Sequence, residues 1–124
     1  MLIEAEQQGD VCVVRVSGRL GAGAADEYLC GKAREIKSLN CPKVLVDLRE
    51  LQSVGSSGIA FFVDLYTSVT RKPSGRLVLV GPSVRVNEVL VLTRITTIIP
   101  AVKDIADGFA FLNGGEKTSA SGAA

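Results

Sequence analysis

The stretch KVLVDLRELQSVGSSGIAFF, Lys43 to Phe62, carries the main fold signal of the chain. Lys43 to Leu48 is short and almost wholly apolar, the composition of a parallel strand covered on both faces. RELQSVGS then predicts a connecting loop. From Ser57 to about Thr70 the period changes. Ile59, Phe62, Tyr66 and Val69 recur three or four apart and predict one face of a helix. Pro73 and Gly75 close that segment, and RLVLVG (Arg76 to Gly81) predicts a second buried strand. A buried strand, a helix and another buried strand make the unit from which α/β folds are built.

On the upstream side, VCVVRVSG (Val11 to Gly18) is rich in β-branched residues and predicts a strand. LIEAEQQ before it, with a turn at Gly9 and Asp10, completes an antiparallel hairpin. GRLGAGAA predicts a glycine-rich loop. An amphipathic helix comes next, from about Ala25 to Leu39, with Leu29, Ala33 and Ile36 inward and Asn40 and Pro42 ending it. Downstream, Val86, Val89, Leu90 and Thr93 share a third helical face. TTIIP predicts a short edge strand ending at Pro100, and VKDIADGFAFL a last helix broken or bent at Gly108. The expected fold is a single α/β domain over residues 1–112, a mixed sheet of four to five strands with about four helices. A small, polar, glycine-rich tail, expected to be disordered, occupies 113–124.

Composition narrows the function. The chain has 124 residues, 47% hydrophobic and 22% charged, enough apolar matter for one core. A net charge of +1 with dispersed basic residues gives no electrostatic case for nucleic acid. No apolar run approaches a membrane span, because Arg15, Asp47, Asp64 and Arg85 interrupt the candidates. The first ten residues carry acids where a signal peptide needs a basic start, so a cytoplasmic protein is expected. Three cysteines, Cys12, Cys30 and Cys41, are widely spaced and predict reduced, mostly buried thiols. No metal or other cofactor is implied.

Histidine is absent, so a Ser–His–Asp triad is impossible. GSSG lacks the residue that would make it G-x-S-x-G, and no phosphate-binding loop of the G-x-x-x-x-G-K type occurs. GAGAAD (Gly21 to Asp26) imitates a dinucleotide fingerprint, with Asp47 near the ribose position. Its sixth residue, however, is Asp26, whose carboxylate in the first helical turn would compete with a pyrophosphate. A non-catalytic binding module is the expectation.

Two serines between glycines remain to be explained. Structurally, Ser56 and Ser57 sit where a loop becomes a helix and can serve as N-cap residues. Gly55 and Gly58 allow a tight turn and close approach of another chain's backbone. Functionally, a phosphate on Ser56 adds about −1.5 to −2 charges at a helix N-terminus, where the dipole tolerates them. The fold survives while the surrounding surface becomes anionic, which makes a switch for a docked partner.

VSGRL at Val16 to Leu20, the stretch from Lys43 to Phe62 and RLVLVG resemble a STAS domain, in particular the bacterial anti-sigma-factor antagonists. TTIIPAVKDIADGFAFL resembles the family's C-terminal strand and helix, so the likeness spans nearly all of Leu2 to Leu112. The resemblance implies a partner that is an anti-sigma factor and a GHKL-type serine kinase. Phosphorylation in a D-S-[ST]-G motif releases the antagonist, and a serine phosphatase restores it. The acceptor position matches Ser56, with Ser57 the next candidate. The expected docking surface comprises Gly21, Ala22 and Gly23 with Val54, Gly55, Ser56, Ser57 and Gly58, since both glycine-rich segments come after strands and precede helices. Two residues depart from the family pattern. Gly55 replaces the Asp of the motif, and Gly21 replaces an acidic residue common after GRL. The alternative is a STAS domain of another signalling assembly, constitutive or binding a nucleotide or lipid, without phosphorylation.

Overall fold

A computed structural model describes residues 2–20 and 26–113. Strands β1 (Leu2–Gln8) and β2 (Val11–Leu20) form the predicted hairpin. Its turn uses Gly9 at φ +65°, a conformation glycine adopts without steric cost. The chain continues through α1 (Asp26–Ser38), β3 (Lys43–Val54), α2 (Ser56–Thr70), β4 (Arg76–Val80), α3 (Val84–Leu92), a 3₁₀ turn (Ile95–Thr97), β5 (Ala101–Val102) and α4 (Ile105–Leu112). The strands lie side by side in chain order. β1 is antiparallel to β2, and β2 to β5 run parallel. The expected mixed α/β sheet is therefore present, with five strands and four α-helices among the described residues.

The sheet separates two unequal cores. On one face Val14, Val46, Leu48 and Leu79 meet Leu29, Ala33 and Ile36 of α1, Phe61, Phe62 and Leu65 of α2, and Val86 and Leu90 of α3. On the other, Val11, Val13, Leu45, Val78 and Val80 are covered by α4 through Leu112 and Phe109. The strands read as continuous apolar runs because residues of both parities are covered, as the parallel arrangement demands. On α2 the buried face is Gly58, Phe61, Phe62, Leu65 and Val69, while Ile59 and Tyr66 flank it half-buried.

Three expected features are corrected. RELQSV is strand rather than loop, for β3 continues to Val54 beside β2. Its apolar residues Leu48, Leu51 and Val54 lie three apart, a period that a regular strand cannot bury on one side. Two irregularities supply the missing steps. Arg15 and Ser17 pair with Asp47 and Glu50, and Gly18 and Arg19 pair with Leu51 and Ser53, so β3 carries one extra residue each time. Each such bulge flips the side-chain alternation, and all three apolar residues enter the same core.

The edge strand sits just beyond TTIIP. Arg94 at φ +64° ends α3, and a 3₁₀ turn buries Ile95 and Ile99 on one side. Pro100, which has no N–H, joins the ladder only through its carbonyl, accepting from Leu79 N at 2.9 Å. Finally, Gly108 does not break α4. It is buried within the helix, where a Cβ would stand 2.8 Å from Val80 Cγ2 and 2.9 Å from Leu45 Cδ1. Its missing side chain lets α4 lie close on the sheet.

Candidate functional site

The site is built where β2 and β3 end together. Their ladder runs to the pair Leu20 and Val54, and one residue further Gly55 N donates to Leu20 O at 2.8 Å. This bond holds the end of β2 beside the junction of β3 and α2. Gly21, Ala22 and Gly23 lie outside the described residues; the structure describes only the flanking Leu20 and the start of α1.

Gly55, not Ser56, is the N-cap of α2. It has φ −110° and ψ −168°, ordinary extended backbone, and offers no side-chain cap. Its carbonyl accepts the first helical bond from Ile59 N at 3.0 Å. Ser56 is the first helical residue and is exposed, with no side-chain hydrogen bond among the described residues. The expectation that Ser56 caps the helix is thus corrected: the chain enters the helix one residue earlier, so the Ser56 hydroxyl points into solvent instead of back along the backbone. The first turn of α2 carries no acidic residue, so the helix itself supplies no negative charge at its positive end.

Ser57 is half-buried and lines a cleft between α1 and α2 of about 360 Å³, walled by Leu29, Cys30, Ala33 and Phe61. Lys37 of α1 joins Asp64 of α2 at 2.8 Å. Gly58 and Val54 are buried. A Cβ on Gly58 would approach Val54 Cγ2 to 2.5 Å and Leu20 Cδ2 to 2.9 Å. The close approach this glycine permits is therefore to its own domain rather than to another chain. Gly58 seats α2 on the strand ends, and Val54 and Gly58 shape the surface from beneath while Ser56 stands on it.

Asp47 has a structural part that its sequence position did not suggest. It lies within β3, not at its end, and its carboxylate is saturated by Arg49. Oδ1 accepts from Arg49 N at 3.1 Å and Nε at 3.0 Å, and Oδ2 accepts from Nη2 at 3.0 Å. Burial pushes the Asp47 pKa up, but the Arg49 hydrogen bonds and charge outweigh it and hold the carboxyl below its usual value. Arg49 falls in the first irregular step of β3, so Asp47 takes the amide that the ladder misses there. A carboxylate so engaged has no place for a ribose. The signal in the sequence was the pair D-x-R inside a strand whose apolar period changes to three.

Cys12 and Cys41 are buried and Cys30 is exposed, all three as free thiols. Burial pushes the Cys12 thiol up to about 12, with a further push from the neighbouring Cys41. Among the described residues no group of three or more His, Cys, Asp or Glu is placed to hold a metal, and no helix is long and apolar enough to cross a membrane.

A mixed five-strand domain with a glycine-framed serine opening the second helix defines a distinct class of α/β module. The family model for the STAS domain matches residues 3–108, and the chain belongs to that family. Solved structures share the fold. An anti-sigma factor antagonist from Mycobacterium paratuberculosis superposes with a TM-score of 0.80 at 18% identity, covering 90% of this chain and 93% of that one. An anti-sigma-factor antagonist (STAS) domain protein from Planctomyces limnophilus gives 0.78 at 20%, covering 90% and 98%. The Bacillus cell fate determinant SpoIIAA in its phosphorylated form gives 0.61 at 17%, covering 82% and 92%. No curated protein matches the sequence.

Proposed function

We propose that this chain is an anti-sigma-factor antagonist. It is a non-catalytic module of bacterial transcription control that holds an anti-sigma factor of the GHKL serine-kinase type and is released when Ser56 is phosphorylated. A serine phosphatase returns it to the binding state. The observation that carries the reading is the exposure of Ser56 as first residue of α2, beside the joined ends of β2 and β3. A phosphate here meets the positive helix end, which has no acidic residue of its own, so the folded state tolerates the added charge. The partner's face, packed against the unmodified serine, instead meets a dianion it must desolvate. The likeness to SpoIIAA, a protein with a phosphorylated form, supports the same reading.

The test is incubation with ATP and the serine kinase encoded beside it, and then peptide mass spectrometry and a binding assay. Phosphate on Ser56 and loss of kinase binding are expected. Phosphate on Ser57 alone moves the switch by one residue. A chain that binds the kinase and is never modified is instead a constitutive antagonist. A second reading, an apolar small-molecule or lipid site, draws on the cleft between α1 and α2. A ligand there raises the melting temperature by mass action, and Phe61→Ala abolishes that shift.

A further inference from the structure

We propose that the Tyr28 hydroxyl, together with Glu4 and Glu6, closes the outer edge of β1 against pairing with a second copy of this chain. The sheet order leaves β1 and β5 as its edges. β5 is two residues long, too short to template a further strand. β1 has seven residues and pairs with β2 in one unbroken register. A bare edge of that length presents a row of N–H and C=O groups to any other strand. Ile3 shows which residues carry that row. Its N–H turns away from β2 and donates to Tyr28 Oη at 2.9 Å, while the hydroxyl donates to Ile3 O at 3.4 Å. In an antiparallel ladder the outward groups fall on alternate residues, so Ala5 and Gln7 face outward with Ile3.

One hydroxyl thus serves both outward groups of Ile3 and stands where a neighbouring strand's peptide would have to lie. Tyr28 is held there from α1. Its ring packs on the larger core, and Lys32 Nζ lies 5.8 Å from the ring centroid. The charges oppose the same event. Glu4 and Glu6 are exposed and project to the sheet face opposite Ile3. A twofold antiparallel contact matches residue i of one copy with j of the other and j with i. When Ile3, Ala5 and Gln7 supply its rungs, each central register sets Glu4 or Glu6 against Glu4 or Glu6 of the other copy. Like charges directly opposite are destabilising. Arg15 joins Glu6 at 3.5 Å and can neutralise only one of the two carboxylates.

Analytical ultracentrifugation up to about 1 mM and amide hydrogen exchange test this on the full chain, with circular dichroism to show that each variant is folded. Tyr28→Phe keeps the ring and frees the edge groups of Ile3. Glu6→Lys turns the register centred on Ala5 into facing pairs of opposite charge. The wild-type chain should show no concentration-dependent protection of the Ala5 and Gln7 amides. The double variant should self-associate at least about tenfold more tightly than either single variant and protect both amides as it does so. Where the Phe variant is unfolded, Tyr28→Leu, which also lacks the hydroxyl, carries the same prediction. A double variant that associates no more than the single ones overturns the inference, as does one that associates with Ala5 and Gln7 still exchanging freely. A wild-type chain that pairs through these amides overturns it as well. β1 shares no residue with the Ser56 junction, so its failure leaves the proposed switch standing.

Discussion

Residue by residue, the glycine–serine junction divides its labour. Gly55 caps, Ser56 is displayed, Ser57 faces the cleft and Gly58 seats the helix. Because Ser56 makes no capping bond, Ser56→Ala should change stability by no more than about 0.5 kcal/mol in chemical denaturation. Ser56→Glu should also fold, and isothermal titration should find its affinity for the proposed kinase partner at least tenfold weaker than that of Ser56→Ala. Equal affinities would remove Ser56 from the switch. Gly55→Asp is permitted by the backbone, since φ −110° is open to every residue. Asp is also a slightly better N-cap than Gly, by a few tenths of a kcal/mol. The variant should melt at or just above the wild-type temperature and be phosphorylated faster, because its carboxylate restores the charge that the family motif places beside the acceptor. A variant that melts normally but is phosphorylated no faster would show that the missing carboxylate does not set the rate. The motif was legible in the sequence as two hydroxyls between glycines. That Gly55 rather than either serine caps the helix was not, because a shift of one residue at a helix start leaves the apolar pattern unchanged.

Among the secondary-structure elements, those that keep a regular period are legible in the sequence and those that break one are not. Leu29, Ala33 and Ile36 announce α1, and KVLVDL announces the first half of β3. The second half, with Leu48, Leu51 and Val54, matches neither the strand period nor a full helix. Only pairing to β2 with two extra residues turns it into strand. Those steps depend on a neighbour remote in the chain, which no local window contains. Gly108 was ambiguous for a related reason: within an apolar helix a glycine marks either a break or a close contact, and the two readings differ in sign under substitution. In a broken helix Gly108→Ala would stabilise by about 1 kcal/mol through propensity. Packed as it is against Val80 and Leu45, the added methyl must displace core side chains at a cost of about 1–3 kcal/mol. The net expectation is a lower melting temperature, and a higher one would contradict the contact.

In the molecule as a whole, the junction stays in place because both cores press on the same sheet and Asp47 fastens its longest strand from within. Buried ionisable groups then make the stability of the fold depend on pH. Asp47 has a depressed native pKa, so its contribution is complete above the ordinary carboxylate value of 3.8 and is lost as pH falls through the lower native value. Cys12 works at the other limit. Its native pKa of about 12 lies above the ordinary 9.0, so its contribution is complete below 9.0 and is lost as pH rises toward 12, where unfolded chains ionise the thiol and folded ones do not. Stability measured by urea denaturation, under reducing conditions, should therefore be flat between these limits as far as these two groups are concerned. Asp47→Asn should lower stability at neutral pH and flatten the acid limb, because the group that loses its charge there is gone. Cys12→Ala should cost stability through the lost packing yet flatten the alkaline limb, whereas Cys30→Ala, altering an exposed thiol, should leave both limbs as they are. An alkaline limb unchanged in Cys12→Ala would show that other groups, not this buried thiol, set the upper limit.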